Sequence, residues 1–303
     1  MKSVFRYVNV YDIQIKCETP LHVGTGSDTD EKGEVLVHPV SGKPFLQASG
    51  ISGAFRDYAA KQYPGKCADW FGDSNGHAST VRDASDMRSR LIFSDGAFTS
   101  YEMELRTRVS INPDTGTTAT VGEGKQKSGQ LLETEYISAG AVAKFSVYEF
   151  YSDDEEVRIL EELFKALDDG LILFGGQLSN GCGEVKIETA SVIRCDLKTP
   201  EGRKKWGNLD SAERENCLSD IKMKDVAGSS FVDFYMDMVF DQDVLVKGDR
   251  IDADKISEIM GYRFREGERL PDKMQMLNGQ KKFIIPGSSF KGVFRNHIEN
   301  IAK

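Results

Sequence analysis

With 303 residues the chain is long enough for two ordinary domains or one large one. A hydrophobic content of 39% beside 29% charged residues is that of a soluble globular protein, and no apolar run approaches the roughly 18 residues of a membrane span. A formal net charge of -9 argues against bulk, nonspecific binding to nucleic acid, since phosphate neutralisation draws on an excess of Lys and Arg; a narrow basic groove on an acidic body stays open.

The opening MKSVFRYVNVYDIQIKCE lacks a signal peptide's apolar core and cleavage site and runs at once into a strand-like alternation, so a cytoplasmic chain is expected. Residues 8–17 alternate apolar and polar positions as a half-buried strand does, ending at ETPLHVGTG. A polar acidic loop, SDTDEKGE, follows. KPFLQASGISGAFRDYAAKQY then opens a helix that Ser49 or Ser52 can cap, with Ile51, Ala54, Phe55 and Tyr58 on one face. A second strand is predicted around 89–98. From Glu104 to Gly140 runs an excursion too long for a passive connection. AVAKFSVYEFY (141–151) alternates again, and SDDEEVRILEELFKALDDG (152–170) has the polar cap, acidic first turn, apolar stripe and terminal glycine of a helix. LILFGGQLSNGCGEVKIETASVIRC supplies a buried apolar stretch, a glycine-rich loop and a last strand.

This order, strand, helix, strand, protrusion, strand, helix, strand, predicts an α+β class domain of ferredoxin-like (RRM-like) βαββαβ type over residues 1–197. Residues 198–228 read as a charged connector. Residues 229–303 repeat the beginning: FVDFYMDMVFDQDVLVKG (231–248) as a strand, then an acidic stretch, then FIIPGSSFKGVFRNHIENI, in which Gly292 and Arg295 match Gly53 and Arg56. A lone strand and helix bury no core of their own. Phe283, Ile285, Phe290 and Phe294 are therefore expected to be buried in an interface within or between chains. The five cysteines, Cys17, Cys67, Cys182, Cys195 and Cys217, are odd in number and lack a CxxC pair, as reduced thiols would be. The alternative is a zinc site using Cys67 and His77.

Together, TPLHVGTG (19–26), the helix openings SGKPFLQASGISGAFR (41–56) and FIIPGSSFKGVFR (283–295), NPDTGTTATVG followed by LETEYISAG, and LILFGGQLSNGCGEVKI (171–187) resemble the RAMP superfamily of CRISPR-associated proteins. The resemblance is specifically to the backbone subunits of type III effector complexes. It implies a protein that holds CRISPR RNA and meets target RNA and other effector subunits, with no membrane. It also implies a thumb hairpin that wedges between nucleotides of the guide–target duplex, and a second RAMP-like unit beginning at 229.

Physical readings accompany the resemblance. Gly175, Gly176, Gly181 and Gly183 can bring backbone N–H groups close to a phosphate, or can simply form a tight turn. Both helix openings offer N–H groups and a positive helix end, with Ser49 and Ser52, or Ser288, Ser289 and Lys291, as added donors and Arg56 and Arg295 beside them. The excursion carries Arg106, Arg108, Lys125 and Lys127 against several glutamates, with Val109, Ile111 and Leu132 as apolar wedges. Family members that cut target RNA use an aspartate with a divalent metal in the loop after the first strand. Here that loop holds Asp28 and Asp30, with Asp30 nearest the family position and thus the residue to hold Mg²⁺ for cleavage, while binding itself requires no cofactor. His22 is the candidate general base or acid of the rival reading, a metal-independent endoribonuclease that trims precursor CRISPR RNA. A third reading is a purely structural adaptor of the complex.

Overall fold

A computed structural model describes residues 5–25, 32–72, 89–109, 120–121, 128–129, 131–152, 159–209, 219–221, 223, 236–242 and 284–302. Its elements in chain order are β1 (Tyr7–Cys17), β2 (Lys32–Gly33), β3 (Phe45–Leu46), α1 (Ala48–Gln62), α2 (Cys67–Phe71), β4 (Leu91–Phe93), β5 (Gly96–Ser100), β6 (Met103–Val109), β7 (Thr120–Val121), β8 (Ser128–Gly129), β9 (Leu131–Ile137), β10 (Val142–Tyr151), α3 (Ile159–Asp168), β11 (Val185–Asp196), α4 (Pro200–Gly207), β12 (Ser219–Asp220) and α5 (Gly287–Ala302).

The main sheet runs β12-β11-β1-β10-β5-β3, with β4 also paired to β10. β1 is central and antiparallel to both long neighbours, from Tyr7 opposite Tyr151 to Cys17 opposite Val185. Its alternation sends Tyr11, Ile13, Ile15 and Cys17 into the main core, while Val8 and Val10 join Ile193, Cys195 and Leu209 on the other face. Both helices of the first unit cover the same core: α1 buries Ile51, Phe55, Tyr58 and Ala59, and α3 buries Leu160, Leu163, Phe164 and Leu167. Phe55 stacks on Phe93 at 5.6 Å and meets Phe164 edge-on at 6.0 Å. Burial of such a ring stabilises the fold by about 1.5–3 kcal/mol. Inside the sheet, the buried Glu149 accepts from Asn9 Nδ2 and from the Tyr11 hydroxyl, both at 3.0 Å. Burial and then the neighbouring carboxylate push the Tyr11 hydroxyl pKa well up.

Several expectations shift. The second strand of 89–98 is two short ones, β4 and β5, separated by Ser94 and Asp95. Neither Ser49 nor Ser52 caps α1. The N-cap is Gln47 without a side-chain bond, and Asp95 Oδ1 instead takes the Ala48 N–H at 2.7 Å, because β5 brings that carboxylate to the helix start. The helix expected over 152–170 is described from Ile159, and Gly170 follows it at φ +75; residues 153–158 lie outside the described set. The connector contains α4, capped by Thr199 Oγ1 accepting from Gly202 N–H at 3.0 Å, and β12, an edge strand on β11. Of the strand read over 231–248, only 236–242 is described. It is not in a strand there, and Met236, Val239 and Phe240 stand exposed because no neighbour among the described residues pairs with it.

The 104–140 excursion is built on β6 and β9, antiparallel from Met103 opposite Ile137 to Val109 opposite Leu131, in a separate sheet with β2. Within the single chain, α5 is covered only in part. Ile285 and Phe290 are half-buried, but Phe294 is 55% exposed, since among the described residues only the first turn of α5 meets another element closely, the loop at Leu178–Asn180. Phe283 lies outside the described residues.

Candidate functional site

The glycine-rich loop between α3 and β11 folds against the turn that follows β1. Gly176 N–H donates to the His22 carbonyl at 2.7 Å, Gly183 N–H to Pro20 at 3.0 Å and Gly181 N–H to Leu178 at 3.0 Å. Three of the four glycine N–H groups expected at a phosphate are thus spent inside the protein. The glycines have packing reasons of their own: Gly175 and Gly183 lie at φ +77 and +96, where a Cβ would run into the carbonyl oxygens of His22 and Phe174. Gly181, at φ +78, faces open space.

Gln177 holds the loop to the excursion. It adopts φ +60, and its Oε1 accepts from Arg108 Nη1 at 3.2 Å and from Asn180 Nδ2 at 2.6 Å. Arg108 also donates to Thr134 Oγ1 at 3.1 Å. Arg106 pairs with Glu104 at 2.5 Å and lies over the Tyr136 ring at 5.1 Å. Both arginines therefore brace the base of the β6–β9 arms. Lys125, Lys127 and Ile111 lie outside the described residues, and Val109 is exposed.

His22 Nδ1 lies 2.9 Å from the Glu135 carbonyl, and its ring sits 5.5 Å from Tyr136. A carbonyl oxygen only accepts, so Nδ1 carries the proton and Nε2 faces Gly24, 3.1 Å from where a Cβ there would lie. That geometry makes His22 an anchor between the first-strand turn, the loop and β9. Glu135 Oε2 accepts from Val35 N–H at 3.1 Å, tying the far end of the acidic loop to the same place. Asp28 and Asp30 lie outside the described residues, Glu34 is exposed, and among the described residues no three His, Cys, Asp or Glu side chains gather as metal ligands would. Cys67 is buried as a free thiol with its sulfur 3.7 Å from the Arg56 carbonyl, and His77 lies outside the described residues.

At the helix openings Ser49 is exposed and Ser52 half-buried. Arg56 is turned away from its helix start and donates to the Gly72 carbonyl at 2.8 Å. In α5, Ser288 and Ser289 are half-buried, Lys291 donates to Ser179 Oγ at 2.8 Å, and Arg295 faces Glu299 at 3.9 Å. Gly287 sits so close to the Asn180 carbonyl that no side chain would fit. The two openings thus flank one loop, α1 beside Gly175 and Gly176, α5 on Ser179 and Asn180.

A cleft of about 620 Å³ runs between α1 and residues 171–178, lined by Gly24, Ala54, Asp57, Tyr58, Lys61 and Leu178 among others. Neither the cleft nor Gln177 was apparent in the sequence. The side of α1 that lines the cleft follows helical spacing, but its opposite wall comes from a segment over a hundred residues away. Gln177 carries no marker of a left-handed conformation that Asn or Gly would have signalled.

Among curated proteins none is similar enough to the sequence to count as a relative. A chain in the cryo-EM structure of the Type III-B Cmr-beta complex bound to cognate target RNA is similar at 18% identity with a TM-score of 0.44, covering 61% of each chain. The present chain therefore spans less than two thirds of that neighbour. The family model of the RAMP superfamily matches residues 14–186, which hold the end of β1, α1, the β6–β9 arms and the glycine-rich loop. Matched over more than half of its 303 residues, the chain belongs to the RAMP superfamily.

Proposed function

We propose that the chain is an RNA-binding subunit of a type III CRISPR effector complex. It holds CRISPR RNA along the two helix openings and presents the β6–β9 arms as the base of a thumb that enters the guide–target duplex. The observation that carries this reading is the Arg108–Gln177 hydrogen bond, which fixes the protruding arms to the glycine-rich loop beside α1. A protrusion braced in this way resists the sideways load of parting stacked bases, which a solvated loop does not. The ferredoxin-like reading of the palm is supported by the order β11-β1-β10-β5 with α1 and α3 packed into one core.

We assign different roles to the candidate residues. Ser49, Ser52, Ser288, Ser289, Lys291 and Arg295 line the helix openings and are the RNA-facing set, with Gly181 as the glycine open to a backbone approaching from outside. Arg56, Arg106 and Arg108 support this surface from within. The test is fluorescence anisotropy of a labelled single-stranded RNA of about 40 nucleotides over a salt series, with duplex DNA of matched length as control. The expected result is salt-dependent RNA binding, weak duplex binding, and a salt slope reduced by about one in Lys291→Ala. Absence of RNA binding, or equal binding of duplex DNA, overturns the reading in favour of a structural adaptor.

A further inference from the structure

We propose that the outer face of the main sheet, on the side away from α1 and α3, docks the acidic segment around residues 236–241 of a second copy of this chain. The contact is separate from the helix openings and does not rest on the RNA-binding reading. That face divides in two. Over β1 and β11 it is closed: Val8, Val10, Ile193 and Cys195 are sealed together with Leu209, and α4 lies on β11 with Gly202 seated against the Asp196 carbonyl. Over β10 and β4 it is open. Tyr148 stands opposite Ile92, and Phe150 N–H donates to the Arg90 carbonyl next in register, so these four residues share one face. Ile92 is 52% exposed, Tyr148 and Phe150 are half-buried, and the exposed rings of Phe5 and Trp206 flank Phe150 at 5.7 and 6.4 Å. A contiguous apolar surface of this kind marks a contact with another molecule.

Its charge indicates the partner. The chain carries -9 overall, yet cations collect at this rim: Arg203, Lys204 and Lys205 on α4, and Arg90 just before β4. Of these, only Lys205 has a carboxylate partner among the described residues, Glu201 at 3.5 Å. Arg203 spends its Nη1 on the Leu197 and Lys198 carbonyls, which leaves its charge uncompensated. A positive, apolar surface on an acidic protein suits a negative, apolar partner, and the chain itself supplies one. FVDFYMDMVFDQD, residues 231–243, has four aspartates and no Lys or Arg, and Met236, Met238 and Phe240 fall on alternate positions from Asp237 and Asp241. Within one chain residues 236–242 are all exposed and pair with no strand among the described residues, so the surface they fit belongs to another copy. Laid along β10, the segment sets its methionines and Phe240 on the rings and its aspartates beside α4, which borders the open half through Trp206. Nucleic acid fits this face less well. The Phe5–Phe150 and Phe150–Trp206 rings are inclined at 49° and 75°, and present no parallel faces on which successive bases stack. Patch and segment are different surfaces, so the contact runs head-to-tail from copy to copy.

The experiment uses the full chain, free of nucleic acid, in sedimentation velocity over a concentration and salt series. The expected result is reversible self-association that weakens with salt. Two charge-reversed variants follow, Arg203→Glu with Lys204→Glu, and Asp237→Lys with Asp241→Lys. Both alter exposed side chains, and thermal unfolding checks that each is folded. Each alone self-associates about tenfold more weakly than the parent, and an equimolar mixture of the two regains association, because the reversed segment meets the reversed patch. A parent that is monomeric at every concentration overturns the proposal. So does association that both variants retain, or that the mixture fails to restore. Loss in the patch variant alone, together with loss of its binding to a labelled oligouridine, assigns the face to RNA and overturns the proposal as well.

Discussion

Replacing Gly175 by alanine separates the two meanings a glycine can have in this loop. At φ +77 any residue with a Cβ bears a strain of roughly 1–2 kcal/mol. The added methyl also meets the His22 carbonyl oxygen, which itself accepts the Gly176 N–H at 2.7 Å. Relief requires moving the turn after β1 off the loop, an overpacking cost of about 1–3 kcal/mol. Gly181→Ala has the same sign of φ, +78, with nothing within 4 Å of the new methyl, so it bears the strain alone. Gly176→Ala, at ordinary φ with the His22 ring 3.4 Å away, is the near-neutral control. The expected gap between Gly175→Ala and Gly181→Ala is about 2 kcal/mol, or roughly 4–8 °C in Tm for a unit of this size, read by calorimetry. Equal effects of the two would refute the close approach of loop and turn. The same variants report on RNA: a Gly181→Ala protein that loses no more stability than the strain alone predicts, yet binds single-stranded RNA more weakly at a temperature where it is fully folded, marks Gly181 as a place where backbone meets ligand.

Three further outcomes follow from packing and charge. Phe55→Ala removes a ring with no exposed surface and is expected to cost about 3–5 kcal/mol, whereas Phe294→Ala, at the matching position of α5, changes urea-unfolding stability by less than about 1 kcal/mol in the isolated chain. The Arg6 guanidinium, bonded to both carboxylate oxygens of Asp196 at 3.2 and 3.0 Å, holds that acid below its ordinary pKa. The folded pKa is the lower one, so this contribution is fully present above the unfolded value and is lost as pH falls through the folded one; Asp196→Asn therefore shows a shallower loss of stability in acid than the parent, by denaturant midpoints. Burial pushes the Cys17 thiol up to about 12 and raises Cys67 and Cys182 as well, so these three resist a thiol-reactive dye at pH 8 until denaturant is added.

What the sequence disclosed was local and periodic. The alternation of 8–17 and 141–151 located two strands within a residue or so, since a strand covered on one face must repeat every second residue. The stripe of Leu160, Leu163, Phe164 and Leu167 located α3 for the corresponding helical reason. Caps were less legible: Asp95, 47 residues from the α1 start it serves, outcompetes the two serines nearby, and no local pattern announces that. The arginines show the same limit. The motifs offer Arg56, Arg106 and Arg108 as candidate RNA contacts without showing that each guanidinium also meets an acceptor the fold brings within reach, here the Gly72 carbonyl, Glu104 and Gln177. Glycines are ambiguous in the sequence, because a close backbone approach within the protein and one toward a ligand leave the same residue behind.

The repeated helix opening shows why likeness in sequence need not carry likeness in environment. Phe55 and Phe294 occupy the same phase of α1 and α5, yet one is sealed and the other 55% exposed. Helical periodicity decides which face is apolar; it says nothing about what lies across from it. α5 instead uses its first turn, Gly287 against Asn180 and Lys291 on Ser179. Asn180 in turn bonds Gln177, which accepts from Arg108 of β6. A single loop of about a dozen residues thereby touches the protruding arms, the wall of the cleft and both helix openings. Loop closure of this kind makes the glycines and Gln177 structurally expensive to change even where they meet no ligand, and under the proposed function RNA on either opening would bear on the same short stretch of backbone from which the arms are braced.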